Sequence, residues 1–135
     1  MLLFAADPAA RDSLFVALTN AGYHVTPAPS ATEALWILRS GHVDVLVILD
    51  GASEQAGDPL LTEAKASNAG SQTRVVVLTS GDAAQRMRWL DLGADVALSY
   101  TGDEKEFLAY VRAQLRQKRA MDELVRKTHI AEEST

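Results

Sequence analysis

DVLVILDG, residues 44–51, decides the fold. Val45 to Leu49 run apolar without a polar break, mix β-branched residues with leucine, and stop at Asp50-Gly51. A half-exposed strand would alternate polar and apolar positions, so an unbroken run bounded by turn formers reads as a strand buried on both faces. Such strands lie in parallel sheets with helices on each side. Ligands and chemistry in these sheets gather just beyond the carboxyl ends of the strands. What ends this strand, and what ends its neighbours, is therefore the functional question.

The same pattern recurs on either side. RVVVLT, residues 74–79, is a second fully buried strand, followed by Ser80-Gly81-Asp82. Leu2 to Ala6 is a shorter apolar run that stops at Asp7-Pro8. Tyr23 to Pro27 reads as a weaker strand, because Pro27 and Pro29 suit only its end or an edge position. Val96 to Leu98 is a short fifth strand.

Helical signals fill the intervals. Asp7 can cap a helix with Pro8 at its first position, Leu14, Ala17, Leu18 and Ala21 give the apolar stripe, and Gly22 closes it. Ser30 and Glu33 form a capping-box pair ahead of Ala34, Leu35, Ile37 and Leu38. Asp58 is expected to cap a helix to about Ala66, between polar loops at 51–57 and 67–73. Met87, Leu90 and Leu92 supply the apolar positions of the next helix, which ends at Gly93, and Asp103 opens the last, with Phe107, Leu108, Val111 and Leu115 on its apolar face. Five strands alternating with five helices imply right-handed crossovers and a doubly wound, five-stranded parallel sheet, an α/β fold.

The last helix outruns its sheet. Its core-facing stripe is spent by Leu115, yet the chain continues with Met121, Leu124 and Val125 as scattered apolar residues. Residues 1–117 are therefore expected to form the domain, with 118–135 a helical extension or linker and a disordered tail from Thr128. Such an extension suits a coiled-coil lead to another domain or to a second copy.

Composition narrows the function. The chain has 135 residues, 47% hydrophobic and 23% charged, the profile of one globular domain. With no cysteine there is no thiolate nucleophile, disulfide or Cys-based metal site. No basic leader or long apolar stretch opens the chain, so a cytoplasmic, membrane-free location is expected. Residues 1–103 hold 6 Lys and Arg against 12 Asp and Glu, and residues 104–128 hold 7 against 4. An acidic body argues against direct nucleic-acid binding, and the mixed-sign tail reads as a solvated helix face. His24, His42 and His129 lack metal-ligand spacing, and no serine sits in a G-x-S-x-G turn or beside a base. No glycine-rich phosphate loop follows the first strand. Arg88 and Asp91 spell R-x-x-D, known from cyclic-di-GMP sites, but a charged helix produces that spacing readily by chance. Enzymatic activity is not expected.

Asp7-Pro8 at the first helix, Ala21-Gly22-Tyr23 at its end, Ala31 to Leu38, VVVLTS and LDLGADVAL together resemble a response-regulator receiver domain of two-component signalling. The likeness spans about residues 2–117 and implies the flavodoxin-like (βα)5 architecture. It also implies phosphoryl transfer to an aspartate ending the third strand, beside Mg²⁺ held by two acids after the first. A hydroxyl residue ends the fourth strand of such domains, a lysine the fifth, and an aromatic on the fifth changes rotamer with phosphorylation.

Carried over position by position, the acidic pair falls on Ala5 and Ala6, with Asp7 one place beyond. The hydroxyl falls on Thr79, the lysine on Tyr100 and the switch aromatic on Ala97. Asp50 is the visible acceptor, yet ungapped counting from Gly22-Tyr23 and from Thr79 lands on Leu49. A one-residue slip turns a strand side chain to the other face, so the two assignments differ in kind. With the pair lost, Mg²⁺ is not expected as a cofactor. The resemblance thus implies a degenerate pseudo-receiver that works by contact with a signalling protein or a downstream domain, or as a homodimer. The contact face expected is the fourth helix, fifth strand and fifth helix, through Met87, Leu90, Tyr100 and Tyr110. Two alternatives stay open: a genuine receiver phosphorylated on Asp50, and a nucleotide or other small-ligand sensor near Thr79 and Tyr100.

Overall fold

The computed structural model describes residues 1–5, 7–40, 43–50, 57–66, 73–79, 83–99 and 104–133. Strand β1 (Leu2–Ala5) leads to helix α1 (Pro8–Asn20), then β2 (Thr26–Ala28), α2 (Ala31–Ser40), β3 (Val45–Asp50) and α3 (Gly57–Lys65). The chain goes on through β4 (Arg74–Thr79), α4 (Ala83–Asp91), β5 (Val96–Ser99) and α5 (Glu104–Glu133). The strands form one parallel sheet in the order β2-β1-β3-β4-β5. No described helix is long and apolar enough to cross a membrane.

Strand alternation divides the core. Leu2, Phe4, Leu46, Ile48, Val75 and Val77 pack with Ala34 of α2, Leu60, Leu61 and Ala64 of α3, and Trp89 of α4. Leu3, Val45, Val47, Val76 and Leu78 pack with Leu14 and Leu18 of α1 and with Phe107 and Val111 of α5. The run at β3 is apolar on both parities because both of its faces are covered.

Local chemistry sets the element ends. The Asp7 side chain accepts from the Ala9 N–H at 3.3 Å and Pro8 stands in the first turn of α1. Ser30 Oγ accepts from the Glu33 N–H at 3.2 Å at the start of α2. Strand β2 begins at Thr26, later than the expected Tyr23, because the Tyr23 N–H still turns back to the Leu18 carbonyl to close α1. The edge position of β2 accommodates Pro27, which has no N–H to give a further strand. Helix α3 starts at Gly57, one residue before the expected cap Asp58, with Pro59 in its first turn. The flanking loops, residues 51–56 and 67–72, lie outside the described residues.

Gly93 ends α4 at φ +115, with the Ala94 N–H donating to the Trp89 carbonyl at 3.0 Å. A Cβ there would meet only Lys65 Cγ at 3.8 Å, an ordinary contact, so backbone strain alone sets the cost of a side chain. Gly93→Ala is expected to lose about 1–2 kcal/mol in urea denaturation, with an unchanged m-value.

Helix α5 differs from expectation at its far end. It continues through Glu133 and does not give way at Thr128, because nothing after Gly102 is a glycine or proline that would stop it. Its 30 residues span about 45 Å, against about 20 Å for the longest strands, so the helix outruns the sheet as its sequence implies.

Candidate functional site

With strand order β2-β1-β3-β4-β5, the chain reverses direction of winding between β1 and β3. The carboxyl ends of those strands flank the crevice where sheets of this kind bind ligands. The register there is explicit: Ala5 of β1 lies opposite Leu49 of β3, and Leu49 opposite Leu78 of β4. One residue further out, Asp50 lies opposite Thr79, and Thr79 opposite Ser99 of β5.

The inner row is apolar. Ala5 is fully buried and Leu49 is half-buried against the α1–α5 core. Neither has a side-chain oxygen to offer a cation. The carbonyl oxygen of Ala5 accepts from Arg11 Nη1 at 2.9 Å, so a guanidinium occupies the end of β1. Asp7 caps α1. In the outer row Thr79 is buried at the end of β4, and Ser99 Oγ accepts from Arg86 Nη1 at 2.6 Å. Ala97 is half-buried and packs towards α4 and its neighbours. Ala6 and Tyr100 lie outside the described residues, and of Asp50 only the backbone register is described. No group of three or more His, Cys, Asp or Glu side chains able to hold a metal occurs among the described residues.

Arg11 and Arg86 went unread in the sequence. Both stand at the fourth position of their helices, α1 and α4, and both reach back over the first turn to a strand end. The signal was present in principle, since helical side chains tilt towards the helix N-terminus, here the end nearest the crevice.

The second surface of interest is α4. Met87 is 62% exposed and Leu90 46% exposed, and Leu92 just after the helix is also exposed. Ala84, Met87, Arg88, Asp91 and Leu92 line an open groove. The residue that carries α4 onto the sheet is Trp89, while Met87 and Leu90 face away from the core. An indole fills the space over Val75, Val77 and Ala97 that smaller side chains would leave empty. The Arg88 guanidinium lies 5.4 Å from the centroid of the Trp89 ring, within cation–π range. Tyr110 on α5 is exposed as well.

The described geometry matches solved proteins closely. The receiver domain protein described as CheY-like from Methanospirillum hungatei JF-1 superposes with a TM-score of 0.75 at 20% identity, covering 88% of this chain and 94% of that one. The fold is that of a response-regulator receiver domain. Among curated sequences, the response regulator MprA of Mycobacterium avium (strain 104) is 35% identical over 118 residues, which cover 87% of this chain and 51% of MprA. The transcriptional regulatory protein PmrA of Pectobacterium parmentieri is 31% identical over 117 residues, covering 86% of this chain and 52% of PmrA. No family model matches the sequence. The chain spans about half the length of each of these relatives.

Proposed function

We propose that this receiver domain is a pseudo-receiver, a signal-transduction module that acts by protein–protein contact without Mg²⁺-dependent phosphorylation. The observation that carries the reading is the buried, apolar Ala5 at the end of β1, in register with Leu49. A receiver's Mg²⁺ needs carboxylate oxygens there, because a hard dication binds through charged oxygen ligands. Ala5 offers none, and its carbonyl is engaged by the Arg11 guanidinium, whose positive charge opposes a second cation. These residues do not fit the metal, and no step is assigned to it. The exposed Met87 and Leu90 on α4, with Tyr110 on α5 and Tyr100 between them in sequence, supply the contact face. A signalling protein, a further domain or a second copy of the chain is the partner, and α5 carries the connection outward.

A second reading keeps Asp50 as a phosphoacceptor. The register favours it in one respect, since Asp50 and not Leu49 lies opposite Thr79, the hydroxyl position. Intact-mass spectrometry after incubation with acetyl phosphate and Mg²⁺, beside an Asp50→Ala control, separates the two. The pseudo-receiver reading expects an unchanged mass in both. A phosphoryl-sized gain that disappears in Asp50→Ala would overturn it and establish the second reading.

A further inference from the structure

Helix α5 meets the body of the domain in two chemically different halves. Phe107 and Val111 bury against the sheet, as an amphipathic helix should. One and two turns on, the buried positions are Gln114 and Lys118. Lys118 is only 1% exposed, yet an ammonium is among the groups least often buried unless it is paired. Its Nζ donates to both carboxylate oxygens of Asp122, at 2.6 and 2.8 Å, and lies 3.7 Å from Asp44 Oδ1, just before β3. The Oε1 atom of Gln114 is buried without a hydrogen-bond partner, so that residue adds little hold. Asp44 is also placed to attract the Met1 ammonium, whose pKa is lowered by burial and partly raised again by Asp44.

We infer that the Lys118–Asp44 pair is a polar clasp that fixes the rotation and exit direction of α5 where it leaves the sheet. An apolar contact tolerates sliding and rotation by small repacking. A buried ammonium resists this more, because Asp122 travels with it on α5 but Asp44 does not, so movement away from Asp44 strips a desolvated charge of one of its two carboxylates. The clasp therefore holds the projecting part of α5, with its exposed Met121 and Leu124, in one orientation relative to the strands. Lys118 acts as a positioning residue. Its role concerns the geometry of the domain and does not depend on whether Asp50 is phosphorylated, so it goes beyond the functional reading above.

Hydrogen exchange on the full chain tests it. Asp44 is 47% exposed on its side chain, so Asp44→Asn leaves the core intact. The expected result is an approximately tenfold faster exchange of amides from Gln114 to Leu124, with β3 and β4 unchanged, as for a local opening that has lost one charged partner. In a Lys118→Met background, where no ammonium remains to hold, the same Asp44 substitution is expected to change nothing further. Unchanged exchange in Asp44→Asn would overturn the clasp, as would a rise shared with β3 and β4. The same rise in the Lys118→Met background would equally overturn it. Should Lys118→Met not fold, the Asp44→Asn comparison decides alone.

Discussion

Trp89→Ala is expected to cost about 3–5 kcal/mol of folding stability, a large share of the roughly 5–15 kcal/mol of an ordinary domain. Trp89 is 1% exposed and is the largest of the fully buried side chains. It joins α4 to Val75 and Val77 of β4 in the core cluster that also contains α2 and α3. Truncation would remove the buried indole and leave a void that a short helix, pinned at Gly93 by its carboxyl-terminal turn, cannot close by moving inward. Urea denaturation is the measurement. Fluorescence can follow the parent chain through this one residue in a Trp36→Phe background, because Trp36 is 70% exposed and reports solvent instead of the core. A loss below about 1.5 kcal/mol would mean that α4 repacks freely, as in volume-conserving exchanges. The same result would weaken the proposed contact face, since Met87 and Leu90 point outward only while Trp89 points inward.

The order and type of all five strands and helices were legible because both-face burial writes itself as unbroken apolar runs at 45–49 and 74–79. Caps were equally plain: Asp7, Ser30 and Gly22 act where their chemistry requires. The face of α4 was legible only in part. In AAQRMRWLD Met87 and Leu90 share one side of the helix and Trp89 takes another, and the volume available above β4 selects Trp89 for the core. Periodicity counts residues and does not weigh them. The far end of α5 was misjudged for a related reason: a polar helix with no breaker carries no apolar stripe to announce it. At the candidate site, Ala5 at the end of β1 is plain from the apolar run that it closes. The competition between Leu49 and Asp50 was not, because a one-residue register choice depends on the partner strands. Arg11 became visible only through the Ala5 carbonyl that it bonds, a group every residue possesses and no sequence displays.

Asp95 carries the other large effect, at the opposite end of the sheet from Thr79. Its carboxylate accepts from Lys65 of α3, from Arg74 Nη1 at 2.8 Å and from the Val75 N–H at 2.8 Å, while its own N–H returns to the Val75 carbonyl at 3.0 Å. One side chain thus ties α3, β4 and the entry to β5. Lys65, Arg74 and Asp95 are each less than a quarter exposed, so solvent screens the network only in part. Asp95→Ala is expected to cost about 2–4 kcal/mol at neutral pH, somewhat under the roughly 3–5 kcal/mol for breaking a fully buried pair. Asp95→Asn should cost less, because it keeps an acceptor for the Val75 N–H and loses only the charge. Burial pushes the Asp95 pKa up, but the bonds from Lys65, Val75 and Arg74 outweigh it and hold the carboxyl below its ordinary value. A carboxyl with a lower pKa in the folded chain binds fewer protons there than in the unfolded one. Its contribution is therefore complete above the unfolded value of about 3.9 and is lost as pH falls through the depressed native value. The stability difference between the parent chain and Asp95→Asn should stay constant from pH 7 to about 5 and close below about 4. A difference that persists unchanged down to about pH 2 would show that the charge of Asp95 is not what the network uses, leaving its hydrogen bonds alone to join the three elements.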